Sequence, residues 1–310
     1  MNAAGVSHRD LHYTTEFLRR CHYPGPVLSP SNPVASADER RHLATRDPWW
    51  GETWGFDFGS PDATLGGFVQ ITVYPRRNVA WFWAAVVGEG RKYILCRDDE
   101  VTPPTNPEVL EVRGVSLWSH AICETPLEHW TVAMEAYAVE LDDPFDALRG
   151  ERGDRIGLAF DLEWESLKSS PVWAHTNDGV GRYEVPCEVN GVLQIGDETL
   201  TVAYQGWRQH SWGRLDWSDA MLAGVRANGT GDRPRSEWTD SVTTTRTGAA
   251  AAAPDWDIAG PIPGRHAVAH APFLSHGPNG RAVPILRTFD RVISDGHGAP
   301  GWREQPGERR

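Results

Sequence analysis

The strongest constraint on this chain is an alternation of apolar and polar side chains at every second residue, sustained in short segments from residue 54 to residue 208. In residues 155–164, Leu158, Phe160, Leu162 and Trp164 alternate with Ala159, Asp161 and Glu163. In residues 68–74, Val69, Ile71 and Val73 fall on one face and Phe68, Gln70, Thr72 and Tyr74 on the other. Successive side chains of a strand point to opposite faces, whereas apolar positions of a helix recur every three or four residues. The pattern therefore belongs to half-buried β-strands. Similar runs at 54–59, 80–87, 92–97, 109–113, 115–123 and 130–141 are separated by Gly, Pro, Asn and Asp, which favour turns. Further runs follow at 182–189, 192–195 and 199–208. With helical periodicity almost absent, the expectation is an all-β protein.

The punctuation divides the chain into four parts. Residues 1–47 are polar and weakly periodic, an N-terminal arm with one short helix signal at Ser36-Ala-Asp-Glu39, where Ser36 can cap and Glu39 can reach back as a capping box. Residues 48–150 hold about seven strands, a first β domain. Residues 142–150 carry capping acids, Pro144 near a first helical position and a closing Gly150, which marks a short helix or turn at the boundary. Residues 151–222 form a second β domain that is short of strands. Of the 88 residues at 223–310, 45 are Gly, Pro, Ala or Arg and 13 are Leu, Ile, Val or Phe, too few for a packed core, so this part reads as a largely disordered low-complexity tail.

Composition narrows the partners. With 42 acidic and 30 basic residues the 310-residue chain carries a formal charge of −12, which repels phosphate backbones and makes nucleic acid an unexpected partner. No stretch reaches the roughly 18 uninterrupted apolar residues of a membrane helix, and the first twenty residues lack the apolar core of a secretory signal, so no membrane span and a cytoplasmic location are expected. Cys21, Cys96, Cys123 and Cys187 are too scattered for a zinc or disulfide framework, and reduced thiols follow. The 15 tryptophans are the unusual feature: an indole offers a large rigid apolar body with one N–H donor, which suits the wall of a ligand site as well as a core.

No phosphate loop, nucleophile elbow, HExxH or strand-anchored GxGxxG is present, and the His266/His270 pair sits among prolines and glycines that oppose a helix, so neither a metal nor a cofactor is expected. The densest polar and aromatic cluster is residues 205–217. Extended, it places Gly206, Arg208, His210 and Trp212 on one face, which would be costly to bury without partners or a ligand. Beyond the turn at Gly213, Asp216 can return towards Arg208 or His210, where a carboxylate would hold the imidazole in place and favour its protonated form. Glu128-His-Trp130 with Glu135 supplies a second acid, imidazole and indole group; a half-buried Glu135 could donate a proton, or be held by Arg113.

Together, Glu52-Thr-Trp-Gly-Phe56, Glu128-His-Trp130 with Glu135, Leu162-Glu-Trp164 and above all Arg208-Gln-His-Ser-Trp-Gly213 with Asp216-Trp217 make residues 48–222 resemble a largely uncharacterised family related to carotenoid hydratase (hydroxyneurosporene synthase)-type lipocalin-like proteins. The sequence departs from that pattern at Gln209, where an Asp precedes the His, and at Leu215, where an Arg precedes the Asp. The resemblance implies two consecutive lipocalin-like antiparallel β-barrel halves, the second incomplete here, around a hydrophobic small molecule of isoprenoid, steroid or polyketide type. It also implies acid-assisted hydration, isomerisation or cyclisation of a double bond, which needs a proton donor in a dry site and aromatic walls for a developing carbocation. The candidate acid–base residues are His210, Asp216 and Glu135, and the candidate ligand-binding residues are Trp212, Arg208, Trp54, Trp130 and Trp83. A non-catalytic lipid carrier, or a structural remnant without activity, fits the same residues, and the oligomeric state is left open.

Overall fold

The computed structural model describes residues 34–149, 153–167, 173–177, 180–214, 265–276, 282–294 and 297–306. The all-β expectation holds. The strands are β1 (Trp50–Gly59), β2 (Gly66–Tyr74), β3 (Val79–Val87), β4 (Tyr93–Val101), β5 (Val109–Gly114), β6 (Leu117–Thr125), β7 (His129–Leu141), β8 (Asp154–Ser166), β9 (Trp173–Asn177), β10 (Val180–Ile195), β11 (Glu198–Arg214), β12 (Arg265–His276), β13 (Ala282–Ser294) and β14 (His297–Pro306). Three short 3₁₀ turns, Ser36–Glu39, Pro75–Arg77 and Pro144–Arg149, are the helical elements among the described residues. None of the described helices is long and apolar enough to cross a membrane.

One large antiparallel sheet runs in the order β4-β3-β2-β1-β11-β10-β8-β7-β6-β5, and a further pairing of β4 with β7 bends eight of these strands into a ring. The closing contact is short, Tyr93 to Leu95 against Val139 to Leu141, because the first part of the long β7 is already paired with β6. The two strand series of the sequence, separated by the turn at Pro144–Arg149, thus share one sheet: β1 of the first lies along β11 of the second over ten residues, from Trp50 opposite Arg214 to Gly59 opposite Gln205. The two barrel halves expected in succession here contribute strands to a common ring. The extra length of β10 and β11 allows this, since β11 pairs with β1 near its C-terminal end and with β10 throughout.

Alternation explains which side chains fill the ring. Trp54, Phe56 and Phe58 of β1, Val69, Ile71 and Val73 of β2, Phe82 and Ala84 of β3, Ile94 of β4, Val132 and Met134 of β7, Leu162 and Trp164 of β8, Val185 and Val189 of β10, and Val202 and Trp212 of β11 form one buried cluster drawn from every strand of the ring. The other faces of β2 to β4 are apolar too: Phe68, Tyr74, Trp81, Trp83, Tyr93 and Leu95 make a second buried cluster on the outside. This accounts for the unbroken run Val79 to Val87, which strict alternation would not produce; its even positions face the ring interior and its odd positions face outward.

Within the stretch read as a low-complexity tail, residues 265–276, 282–294 and 297–306 are described as strands, and two of their side chains join that outer layer. β12, β13 and β14 form a separate three-stranded sheet. From it Phe289 packs against Gly66 and Ala271 joins the outer cluster. Arg287 lies 3.8 Å over the Phe68 ring and donates to Gln70. The apolar residues of this region are concentrated between 283 and 293, so an average over the whole tail dilutes them. Residues 215–264 lie outside the described residues, as do residues 1–33 of the N-terminal arm, Cys21 among them. Cys123 and Cys187 form no disulfide among the described residues.

Candidate acid–base and ligand site inside the ring

On β11, Gly206, Arg208, His210 and Trp212 are buried while Trp207, Gln209 and Ser211 are partly exposed, so the face singled out by alternation is the inner one. Arg208 is 2% exposed and His210 1%, which raises the question of what balances their charge and polarity. Two carboxylates do. Glu39, at the end of the first 3₁₀ turn, accepts from Arg208 Nη1 at 2.7 and 3.0 Å, from Trp130 Nε1 at 2.7 Å and from the Leu127 backbone N–H at 3.2 Å. Glu52 of β1 faces His210 Nε2 at 2.9 Å and His42 Nδ1 at 2.7 Å, and accepts the His42 backbone N–H at 3.0 Å.

The polar chain continues on both sides. The Tyr183 hydroxyl of β10 is 3.2 Å from His210 Nδ1 and 3.5 Å from the Asp38 carbonyl oxygen. His42 Nε2 is 3.5 Å from Asp38 Oδ1. Indoles enclose the imidazoles: Trp54 stacks on His210 with centroids 4.6 Å apart, and Trp212 stacks on His42 at 3.7 Å. The register explains the gathering, since Trp54 lies opposite His210 across β1–β11 and Tyr183 lies opposite it across β10–β11.

Burial and charge act against each other here. Burial raises the Glu52 carboxyl, but hydrogen bonds from His210 and His42 outweigh it and hold the group ionised below its usual range. Burial likewise opposes the Arg208 charge, and the Glu39 carboxylate beside it more than restores it. Tyr183 is pushed well above its ordinary value, first by burial and then by the Glu39 charge, and stays a neutral phenol. Three buried donors in this region, Arg208 Nε, Arg208 Nη2 and Trp54 Nε1, face no acceptor among the described residues.

The sequence candidates fall into three groups. His210, Arg208, Trp212, Trp54 and Trp130 converge in the ring interior. Trp83 does not: it lies in the outer cluster, beside Trp81 and donating to Asp99 Oδ1 at 2.7 Å, because its position in β3 is odd. Glu135 is exposed, since on β7 the inward set is Trp130, Val132, Met134 and Ala136, and the Arg113 proposed as its partner pairs with Glu111. Asp216 lies outside the described residues. Sequence reasoning did not assign roles to Glu52, His42 or Tyr183, and read Glu39 as a cap; in the structure Asp38, not Glu39, accepts the Ala35 N–H, at 2.8 Å, and Glu39 turns inward. Glu52 and Tyr183 did leave a signal, each sharing the phase of buried apolar neighbours on its strand, whereas Glu39 and His42 precede β1 in a segment without periodicity.

Fold and site together define an antiparallel β-ring protein with ionisable groups built into an aromatic interior. The chain belongs to the family described as domain of unknown function DUF7064, whose model matches residues 35–226, from the first 3₁₀ turn to beyond β11. No curated protein matches the sequence.

Proposed function

We propose that the ring binds a hydrophobic small molecule of isoprenoid, steroid or polyketide type that carries an acceptor oxygen. The observation that supports this is the set of buried donors without acceptors among the described residues, Arg208 Nε and Nη2 and Trp54 Nε1, in an interior otherwise lined by apolar and aromatic groups. Leaving such donors unmatched costs about 1–3 kcal/mol each, which a carbonyl or hydroxyl oxygen of a ligand would recover. Arg208 is already neutralised by Glu39, so a neutral oxygen fits better than a second carboxylate. An eight-stranded ring has an interior that side chains can fill or that can hold one small ligand. The resemblance to lipocalin-like proteins points the same way.

The Tyr183–His210–Glu52 chain favours a catalytic role over simple carriage. Both nitrogens of His210 are engaged, so its proton would reach a ligand by way of the Tyr183 hydroxyl. The phenol O–H goes to one alkene carbon while the imidazolium N–H replaces it on the phenol oxygen. Water then adds to the cation and its surplus proton returns through the Tyr183 oxygen to His210 for hydration, or the proton of a neighbouring C–H returns by the same route for isomerisation. Trp54, Trp130 and Trp212 would stabilise the positive charge. Glu135 and Trp83 have no part in this scheme.

The test is incubation of the full chain with a lipid or terpenoid extract followed by mass spectrometry of what is retained and what is changed. Retention of an oxygen-bearing apolar molecule that is weakened by Trp212→Ala supports binding. Catalysis predicts a product altered by the mass of water or isomeric with the input, lost in His210→Ala while the ligand is still retained. Retention without product would make the protein a carrier, and no retention at all would remove the proposal.

A further inference from the structure

We infer that His42, Glu52 and His210 form a binding site for a transition-metal dication such as Zn²⁺ or Fe²⁺. The inference goes beyond the ligand-binding reading and does not rest on it. Nδ1 of His42, Oε1 of Glu52 and Nε2 of His210 lie within 4.8 Å of one another. Two imidazoles with one carboxylate and open positions are the donor set of mononuclear zinc hydrolases and of the non-haem iron facial triad.

The hydrogen-bond bookkeeping favours a cation. Without one, Glu52 Oε1 lies 2.7 Å from His42 Nδ1 and 2.9 Å from His210 Nε2, while the His42 backbone N–H is shared between Oε1 at 3.0 Å and Oε2 at 3.2 Å, so both imidazoles converge on one carboxylate oxygen. Moreover, if His42 Nδ1 carries the proton of a neutral ring, its Nε2 lone pair faces the Asp38 carboxylate at 3.5 Å. With a cation on the three inner atoms, both outer ring nitrogens carry protons and each meets an oxygen. His42 Nε2–H then points to Asp38 Oδ1, and His210 Nδ1–H to the Tyr183 oxygen, whose own hydroxyl can donate to the Asp38 carbonyl. Outer partners of this type fix the tautomer and orientation of metal-bound histidines. The indoles of Trp54 and Trp212, stacked on the two rings, restrict water and further orient the imidazoles. Ligands 42, 52 and 210 lie on three separate segments, which is why no ligand spacing is visible in the sequence.

A bound cation occupies His210 Nε2, so in the loaded protein the acid available to a ligand is a cation-bound water rather than the imidazolium. The two states are distinguishable by metal content alone, without knowing any substrate.

The experiment uses the full chain, stripped with a chelator and titrated with Zn²⁺ by calorimetry and with Co²⁺ by visible absorption. The expected result is one equivalent bound, with a tetrahedral or five-coordinate Co²⁺ spectrum and a rise in melting temperature on Zn²⁺ addition. Tyr183→Phe and Asp38→Asn, which remove outer partners without touching the ligands, should weaken binding about 10- to 100-fold. Glu52→Gln and His210→Ala should abolish it, with folding checked by circular dichroism. If either fails to fold, the two outer variants decide the matter. The inference is overturned if the stripped protein takes up no stoichiometric metal. It is equally overturned if uptake is unchanged in the outer variants, or survives in folded Glu52→Gln, which would place the ion at the His129, Glu163 and Glu165 group, whose carboxylates are exposed, instead.

Discussion

Glu39 illustrates how much one side chain contributes in this interior. It is 2% exposed and is the counter-charge of a buried arginine, so Glu39→Ala leaves Arg208 uncompensated. Breaking a buried pair from one side costs about 3–5 kcal/mol, and urea unfolding should show a loss of that order, against less than about 0.5 kcal/mol for Glu135→Ala on the exposed face of β7. The thiols give a second measurement at this scale. Burial pushes Cys187 and Cys123 up to about 12, and since the thiolate is the reactive form, alkylation of the folded protein between pH 7 and 9 should be slow and rise with each pH unit without levelling off. Denaturant should release both at once; fast labelling of folded Cys187 would contradict the placement. Residue-level legibility was uneven for a physical reason. Arg208, His210 and Trp212 could be read because a strand imposes a phase on its side chains, while Glu39 and His42 sit where the backbone imposes none. Trp83 was misplaced because a strand buried on both faces gives its indoles no telltale polar side.

Among the elements, the pairing of β1 with β11 places Trp54 and Glu52 beside His210, and it depends on close approach of the two backbones. A Cβ at Gly206 would run into the Asp57 carbonyl oxygen and press on Val189. Gly206→Ala should therefore cost about 2–3 kcal/mol, at the upper end of ordinary substitutions. Gly157 on β8 is exposed, and a methyl group added there would meet no atom within 4 Å, so Gly157→Ala should be neutral or stabilise by up to about 1 kcal/mol. Thermal melts of the two variants would test the phase of each strand, because a slip of β11 by one residue would turn position 206 outward and a slip of β8 would turn position 157 inward. Strand existence was legible wherever one face was polar, as in β8. The partner of each strand was not, since pairing between residues 54 and 210 leaves no local trace.

For the whole molecule, the second sheet makes the outer layer of β2 to β4 part of the interior. Phe289 is fully buried against this layer, and Phe289→Ala should lower stability by about 3–5 kcal/mol if sheet and ring unfold together. Truncation before residue 265 should expose Phe68, Trp81 and Trp83 and increase binding of a hydrophobic dye; a truncated chain with unchanged melting temperature and no dye binding would show that the ring stands without it. The route by which β1 reaches its partner also sets a timetable. β1 is complete at residue 59 but its neighbour β11 ends at residue 214, so at 5–20 residues per second the ribosome takes roughly 8–30 s to supply the missing strand. Throughout that interval one edge of β1 presents bare backbone donors and acceptors beside exposed indoles, a template for pairing with another nascent chain. The structure that is most enclosed when finished is thus the most exposed while it is being made, and its yield in a cell will depend on how long that edge is kept from its neighbours.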